Sequence, residues 1–174
     1  MSTPPERKPL PRQVDPRKLV GQGARFSGSV PTVHMMRLAD AVVSAEDVAE
    51  AELEFGRDDE GRAVVRGGVE LAVELECQRC LKPLAHRLAG NVALGIVWDL
   101  EGAKTLPRQL EPWIVDSESS DLYDMVEDEL LLALPIAAYH DTDECRASGS
   151  YSTGEVSDSA ENPFGILAQL KTRQ

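Results

Sequence analysis

The sequence predicts an α+β fold in which a few helices pack on a curved, mostly antiparallel sheet, either open or as a partly open barrel, between flexible termini. Apolar residues alternate with glutamates at 49–55 and 69–76, which is typical of strands with one side in the core and the other in water. Apolar residues recur at helical spacing over 120–134, which predicts a substantial helix. Short turns between the strands favour antiparallel pairing over helical crossovers.

The first half of the chain supplies most of the predicted strands. Five prolines and an excess of basic residues predict a flexible basic arm over residues 1–18. Beyond this arm we expect, in order, a short strand at 24–30, a helix at 32–43 capped by Thr32, the two alternating strands on either side of a turn at 57–61, and a third strand at 84–98 that bends or bulges at Gly90-Asn91.

The second half is predicted to be mainly loop and helix. Residues 99–119 are acidic, contain two prolines and predict a long loop. Ser120 or Asp121 then begins the helix, and Pro135 stops it. The remaining units are one α+β domain over 19–140, a loose acidic and polar segment over 141–161, and a short C-terminal helix over 162–174 that docks on the body.

Composition is that of a globular protein with a strongly acidic surface. Of the 174 residues, 42% are apolar, and 18 Lys and Arg against 30 Asp and Glu give a net charge of −12. No apolar run approaches the ~20 residues of a membrane-spanning helix. Residues 1–10 lack the apolar stretch of a signal peptide. We therefore expect a cytoplasmic protein that does not enter a membrane.

The charge is distributed unevenly along the chain. Residues 1–25 carry six basic and two acidic side chains, whereas residues 99–161 carry sixteen acidic and three basic ones. A phosphate backbone would be attracted to the first region and repelled by the second. The acidic region could serve only to keep the protein soluble, or it could hold a basic protein by complementary charge.

The cysteines define the candidate functional site. Cys77 and Cys80 form a C-x2-C pair directly after a predicted strand, and His140 and Cys145 form an H-x4-C pair beyond the predicted helix. Three thiolates and one imidazole make a closed tetrahedral site for structural Zn²⁺. His86 is a rival fourth ligand, because the register of its strand decides whether it faces the cysteines.

The same cysteines permit two other interpretations. They could be free thiols, because Gln78-Arg79 and Leu81 stand where zinc turns are usually rich in glycine. They could also form a dithiol redox pair, but such pairs open a helix, and Pro83 with the alternation after it favours a β-turn. Three is an odd number, which in a reducing compartment argues against structural disulfides.

Motifs of common enzyme classes are missing. The sequence contains neither G-x-S-x-G nor G-x-x-x-x-G-K-[ST]. The consecutive carboxylates of Glu127, Asp128 and Glu129 could attract a divalent cation, but neighbouring residues of a helix point about 100° apart. We therefore expect a solvated helix face there, no catalytic residues and no enzyme activity.

Four motifs occur in order along the chain: L-E-C-Q-R-C-L-K-P-L at 75–84, M-V-E-D-E-L-L-L-A-L-P at 125–135, His140-Asp141 followed by Cys145, and N-P-F-G-I-L-A-Q-L-K at 162–171. Together they resemble the YceD family, the large ribosomal RNA subunit accumulation proteins. The resemblance covers about residues 15–171. It implies a bacterial cytoplasmic factor needed for the synthesis, processing or stability of 23S ribosomal RNA, and it supplies no catalytic residues.

The leading hypothesis is therefore a non-enzymatic ribosome biogenesis factor. It would contact precursor 23S RNA through the basic arm, or a basic ribosomal or processing protein through the acidic helix. One alternative is a zinc-stapled protein-binding adaptor unrelated to the ribosome. Another is a metal-dependent RNA hydrolase, which would need carboxylates converging from different elements.

Overall fold

Eight strands, four α-helices and one 3-10 helix form the part of the chain described by the computed structural model, residues 8–115, 117–141 and 145. In chain order the elements are β1 (Gln13–Val14), α1 (Pro16–Gln22), β2 (Arg25–Pro31), the 3-10 helix (Thr32–His34), α2 (Met36–Ala41), β3 (Ser44–Ala45), β4 (Val48–Arg57), β5 (Ala63–Glu76), β6 (Pro83–Val97), α3 (Leu100–Lys104), β7 (Glu111–Ile114), β8 (Ser120–Asp121) and α4 (Leu122–Leu132). None of these helices is long and apolar enough to span a membrane.

The main sheet has the strand order β2-β4-β5-β6-β7, with β3 paired beside β5. All of its strand pairs are antiparallel except β6–β7, which is parallel. The predicted α+β class with a mostly antiparallel sheet is confirmed. Within the described residues β2 and β7 lie at opposite ends of the sheet and do not pair, so the sheet is not closed into a barrel.

The period-two pattern places the core side of the sheet as predicted. The alternating apolar residues of β4 and β5 are all at most 6% exposed: Ala49, Ala51, Leu53, Phe55, Val69, Leu71, Val73 and Leu75. In β6 the pairing with β5 continues without a break through Gly90 and Asn91, which lie opposite Val69 and Gly68. Of the two predicted alternatives at Gly90-Asn91, the bulge is therefore absent.

The acidic helix covers this apolar side. Asp121 caps α4 as predicted, because its carboxylate accepts hydrogen bonds from the backbone N–H groups of Tyr123 and Asp124. The helix packs on β5 and β6 with Leu122, Val126 and Leu130 fully buried. Gly90 allows this close contact, since a Cβ there would lie 3.0 Å from the backbone oxygen of Glu129.

Residues 99–119 do not form the long loop that was predicted. Asp99 caps the short helix α3 by accepting a hydrogen bond from Gly102 N–H, and the chain then returns as β7 parallel to β6. A parallel neighbour needs such a crossover, which the prolines and acidic residues of this region conceal in the sequence. The main sheet therefore contains one parallel strand, β7, in addition to its antiparallel strands.

The described part of the predicted arm, residues 8–18, is packed on the body. Leu10 and Val14 belong to the core, and the buried Tyr123 hydroxyl donates to the Leu10 carbonyl at 2.7 Å. Pro16 stands at the first turn of α1, where proline fits a helix, and Asp15 caps it. This differs from an extended arm ending at residue 18. Residues 1–7 of the arm, most of the segment 141–161 and the docking helix at 162–174 lie outside the described residues.

The predicted helix at 32–43 is divided into the 3-10 helix and α2, and Thr32 does not cap α2. The cap comes from α4 instead, because the Glu127 carboxylate accepts the N–H of Leu38 at 3.0 Å. The Arg37 guanidinium pairs with Glu127 at 2.8 Å and with Asp128 at 2.6 Å. Glu127 is 3% and Glu129 9% exposed, so the predicted solvated face was wrong for these two, whereas Asp128 is exposed.

We predict that Gly67→Ala destabilises the fold. Gly67 has φ +153°, and a Cβ there would lie 1.9 Å from the Glu52 carbonyl oxygen in β4. We expect a loss of roughly 2–4 kcal/mol, or a fall in Tm of about 5–15 °C. Gly56→Ala is the control, since a Cβ at Gly56 meets nothing within 4 Å. Equal melting temperatures for the two variants in a thermal unfolding experiment would contradict this account.

Candidate metal centre

The C-x2-C pair lies in a tight turn between β5 and β6. Cys77 N–H donates to the Lys82 carbonyl at 3.0 Å, and Leu81 N–H donates to the Cys77 carbonyl at 2.8 Å. Leu81 has φ +58°, a left-handed conformation that costs a non-glycine residue about 1–2 kcal/mol. The turn that aims the two sulfurs therefore forms without the usual glycine, at the cost of local strain.

The segment after α4 is fastened to this turn. Gln78 N–H donates to the carbonyl of the buried Ala138 at 2.9 Å. The Arg79 guanidinium lies 5.4 Å from the centroid of the Tyr139 ring and donates to the Cys145 carbonyl at 3.4 Å. These contacts bring the second predicted ligand pair to the first.

Four ligand atoms converge at this point. The sulfurs of Cys77, Cys80 and Cys145 and a ring nitrogen of His140 all lie within 4.8 Å of one another. Cys77 Sγ is 3.3 Å from Cys145 Sγ, and Cys80 Sγ is 3.4 Å from His140 Nδ1. Sulfurs on a tetrahedron with 2.3 Å metal bonds are about 3.8 Å apart, so the cluster has the size of a metal site.

The histidine has the orientation of a ligand. His140 Nε2 lies 3.1 Å from the Pro83 carbonyl oxygen, which can only accept a hydrogen bond, so Nε2 carries the proton. Nδ1 is then unprotonated in the neutral ring and faces the sulfur of Cys80. A backbone carbonyl that fixes the tautomer in this way is the usual outer partner of a metal-bound histidine.

The surroundings favour a thiolate at Cys77. Burial opposes ionisation, but hydrogen bonds from the backbone N–H groups of Cys80, Arg79 and His140, and from the Cys145 thiol, lower the pKa of Cys77 from 9.0 to about 5. Burial raises the pKa of Cys145, as do the neighbouring sulfurs. Cys77 is therefore favoured as an anionic ligand, whereas Cys145 keeps its proton and donates a hydrogen bond to the Cys77 sulfur.

The arrangement can hold a metal ion with three sulfurs and one nitrogen. His86, the rival fourth ligand, lies opposite Val73 in the β5–β6 register and is not part of the cluster. The C-x2-C pair lies in a turn and not at a helix N-terminus, and Cys77 is 0% exposed, which disfavours a thiol that reacts with substrates. The cysteines have no disulfide in the structure.

Sequence reasoning missed two sets of contacts: the carbonyl that orients His140 in the cluster, and the ion pairs and buried glutamates of α4. The Pro83 carbonyl that orients His140 gives no signal in a sequence, because every residue has a carbonyl. The links from Arg37 to Glu127 and Asp128 join residues about 90 positions apart. Helical periodicity over the whole of α4 could have placed Glu127 and Glu129 beside the buried Val126 and Leu130, and so on the core side.

Residues 65–171 match the family model described as "Large ribosomal RNA subunit accumulation protein YceD". The protein of that name from Haemophilus influenzae is 33% identical over 169 residues, which cover 94% of this chain and 97% of the relative. No solved structure matches the chain significantly. All four residues of the cluster lie within the matched region.

The lowered pKa of Cys77 predicts how metal-free protein responds to pH. A thiolate that is favoured in the folded state stabilises the fold fully above pH 9, and this contribution is lost as the pH falls to about 5. Ultraviolet thiolate absorption of reduced, chelator-treated protein should titrate with a midpoint near pH 5. Cys77→Ser should abolish this transition, and a first thiolate that forms only near pH 9 would contradict the assignment.

Proposed function

The chain belongs to the YceD family of large ribosomal RNA subunit accumulation proteins, and on this premise we propose that it supports the synthesis, processing or stability of 23S ribosomal RNA in the bacterial cytoplasm. It acts by binding and not by catalysis. The observation that carries the proposal is the relationship over nearly the full length of both chains, 94% of this one and 97% of the relative. The relationship therefore extends far beyond the cysteine turn.

The charged contacts support binding to a protein component of the precursor particle. Among the described basic residues of 8–25, Arg12, Lys18 and Arg25 pair with Asp121, Asp15 and Glu54 of the same chain. The net charge of −12 opposes association with a phosphate backbone. Basic proteins are attracted to such a surface, and those of the large subunit are suitable partners.

We propose that the cluster binds one structural Zn²⁺ through Cys77, Cys80, His140 and Cys145. Support comes from the ligand set, the 4.8 Å limit on its mutual distances and the oriented imidazole. The ion would hold the segment after α4 on the β5–β6 turn and would leave no open position for a substrate. Its role is then to stabilise the binding surface.

The function is tested by depleting the protein in its own cells. We expect the ratio of 23S to 16S RNA to fall and the large-subunit peak in a sucrose gradient to shrink, with recovery when the wild-type chain is restored. The protein should cosediment with precursor large-subunit particles and be released by salt. Unchanged RNA levels and subunit profiles after complete depletion would refute the proposal.

The zinc proposal is tested on tag-free protein by elemental analysis. We expect one zinc per chain, lost in Cys77→Ser together with a fall in Tm of order 10 °C, because the binding energy of a structural metal is also folding energy. His86→Ala is the matched control, since His86 lies outside the cluster. A correctly folded protein without metal, or equal zinc content in the two variants, would contradict the proposal.

A further inference from the structure

A groove of about 660 Å³ runs between β7 and α4, along the edge of the main sheet that β7 forms. Its floor is apolar and includes Leu94, Trp113 and Met125. Its polar lining includes five carboxylates, from Glu111, Asp121, Asp124, Asp128 and Glu129, and none of the described Lys, Arg or His residues lines it. The groove therefore combines apolar surface with negative charge.

Two of these carboxylates are neutralised within the chain. Asp121 is paired with Arg12 and Asp128 with Arg37. Asp124 forms no ion pair but lies near enough to Arg12 to interact with its charge, whereas Glu111 and Glu129 have no cationic partner within the described residues. A cation from outside would therefore meet two uncompensated carboxylates and a partly compensated third in one place.

Glu129 is the most informative of the three. The residue is only 9% exposed and lines the groove, yet its carboxylate forms no hydrogen bond or ion pair in the described part of the chain. Burial, together with the charges of Asp128 and Glu111, raises its pKa. No fully buried side-chain oxygen of the described residues lacks a hydrogen-bond partner, so the unpaired oxygens of Glu129 reach the open groove. A positive group in the groove would offset the cost of this partly desolvated charge.

The exposed edge of β7 argues against recognition by strand addition. Val115 N–H donates to the Val97 carbonyl, and residues along a strand direct their backbone groups alternately to its two edges, so Pro112 and Ile114 face outward. Pro112 has no N–H to donate, which protects an edge strand from pairing. Side chains must then supply the recognition.

We propose that this groove binds a segment of a protein partner in which lysine or arginine side chains alternate with apolar ones. A cationic side chain reaches Glu129, and the apolar side chains lie on the floor beside Trp113. The inference rests on the proposed function, since it specifies how a basic component of the large subunit is held. RNA is disfavoured because phosphates would approach uncompensated carboxylates.

The direct test is fluorescence anisotropy with a labelled peptide of alternating lysine and leucine. We expect binding by the wild-type chain and at least tenfold weaker binding by the Glu129→Gln, Asp124→Asn double variant. Glu101→Gln is the matched control, because Glu101 is exposed on α3 and lies outside the groove. Because Asp124 lies in the first turn of α4, where a negative charge stabilises a helix, thermal unfolding of each variant accompanies the binding measurement. The affinities are compared at a temperature at which all the proteins are fully folded. Equal affinities, or no binding by the wild type, would overturn the proposal.

Competition with the labelled peptide distinguishes two other occupants of the groove. If a peptide of residues 162–174 displaces the probe from the full chain, the groove belongs to the chain's own C-terminal segment. If a 23S RNA fragment displaces the probe, the groove is an RNA site. Either result overturns the proposal of a protein partner, whereas displacement by a purified basic large-subunit protein, lost in the double variant, supports it.

Expression of the double variant in depleted cells separates the two proposals. If depletion lowers 23S RNA and the double variant restores it as fully as the wild type, the groove proposal fails and the proposed function stands. If depletion changes nothing, the proposed function fails whatever the peptide affinities are. We expect depletion to lower 23S RNA and the double variant to restore it only in part.

Discussion

Ligand atoms from positions 60 to 68 residues apart meet within 4.8 Å, and the path of the chain beyond α4 depends on that meeting. Bringing such distant positions together costs about 4 kcal/mol of chain entropy for a loop of this length. Hydrogen bonds from Gln78 and Arg79 offset part of this cost. A bound metal would offset far more, because its bonds to the four side chains exist only when the loop is closed.

The regular part of the sheet was predictable because its physics is local. In β4 and β5 each glutamate alternates with a residue that is buried in the core, so a pattern of two residues gives both the strand and its buried side. The capping of α4 by Asp121 is equally local. By contrast, β7 has only four residues, one of them Pro112, and it is a strand because β6 offers a free edge. No sequence pattern within four residues can indicate that another strand offers a free edge.

In the candidate site too, features set by local sequence were predictable and features set by distant parts of the chain were not. Cysteine and histidine spacing predicted all four members of the cluster, and it left His86 open because a strand register was needed to exclude it. Glu127 and Glu129 were read as solvent-facing because their charges outweighed their position beside Val126 and Leu130. Glu127 is buried beside Arg37, which lies far away in the sequence, and Glu129 is buried where it lines the groove between β7 and α4. These tertiary contacts leave no mark on the sequence, and only the helical spacing of α4 could have indicated the side on which the two glutamates lie.

The hydrogen bond from Leu38 N–H to Glu127 joins residues 89 positions apart, and it bears on the order in which the chain acquires structure during synthesis. A helix of six residues is too short to persist alone, and Met35 offers it no side-chain cap. At roughly 5–20 residues per second, translation reaches Glu127 about 5–20 s after Leu38. During that interval α2 has no acceptor for this N–H. The helix α2 therefore gains this bond only after α4 has left the ribosomal exit tunnel.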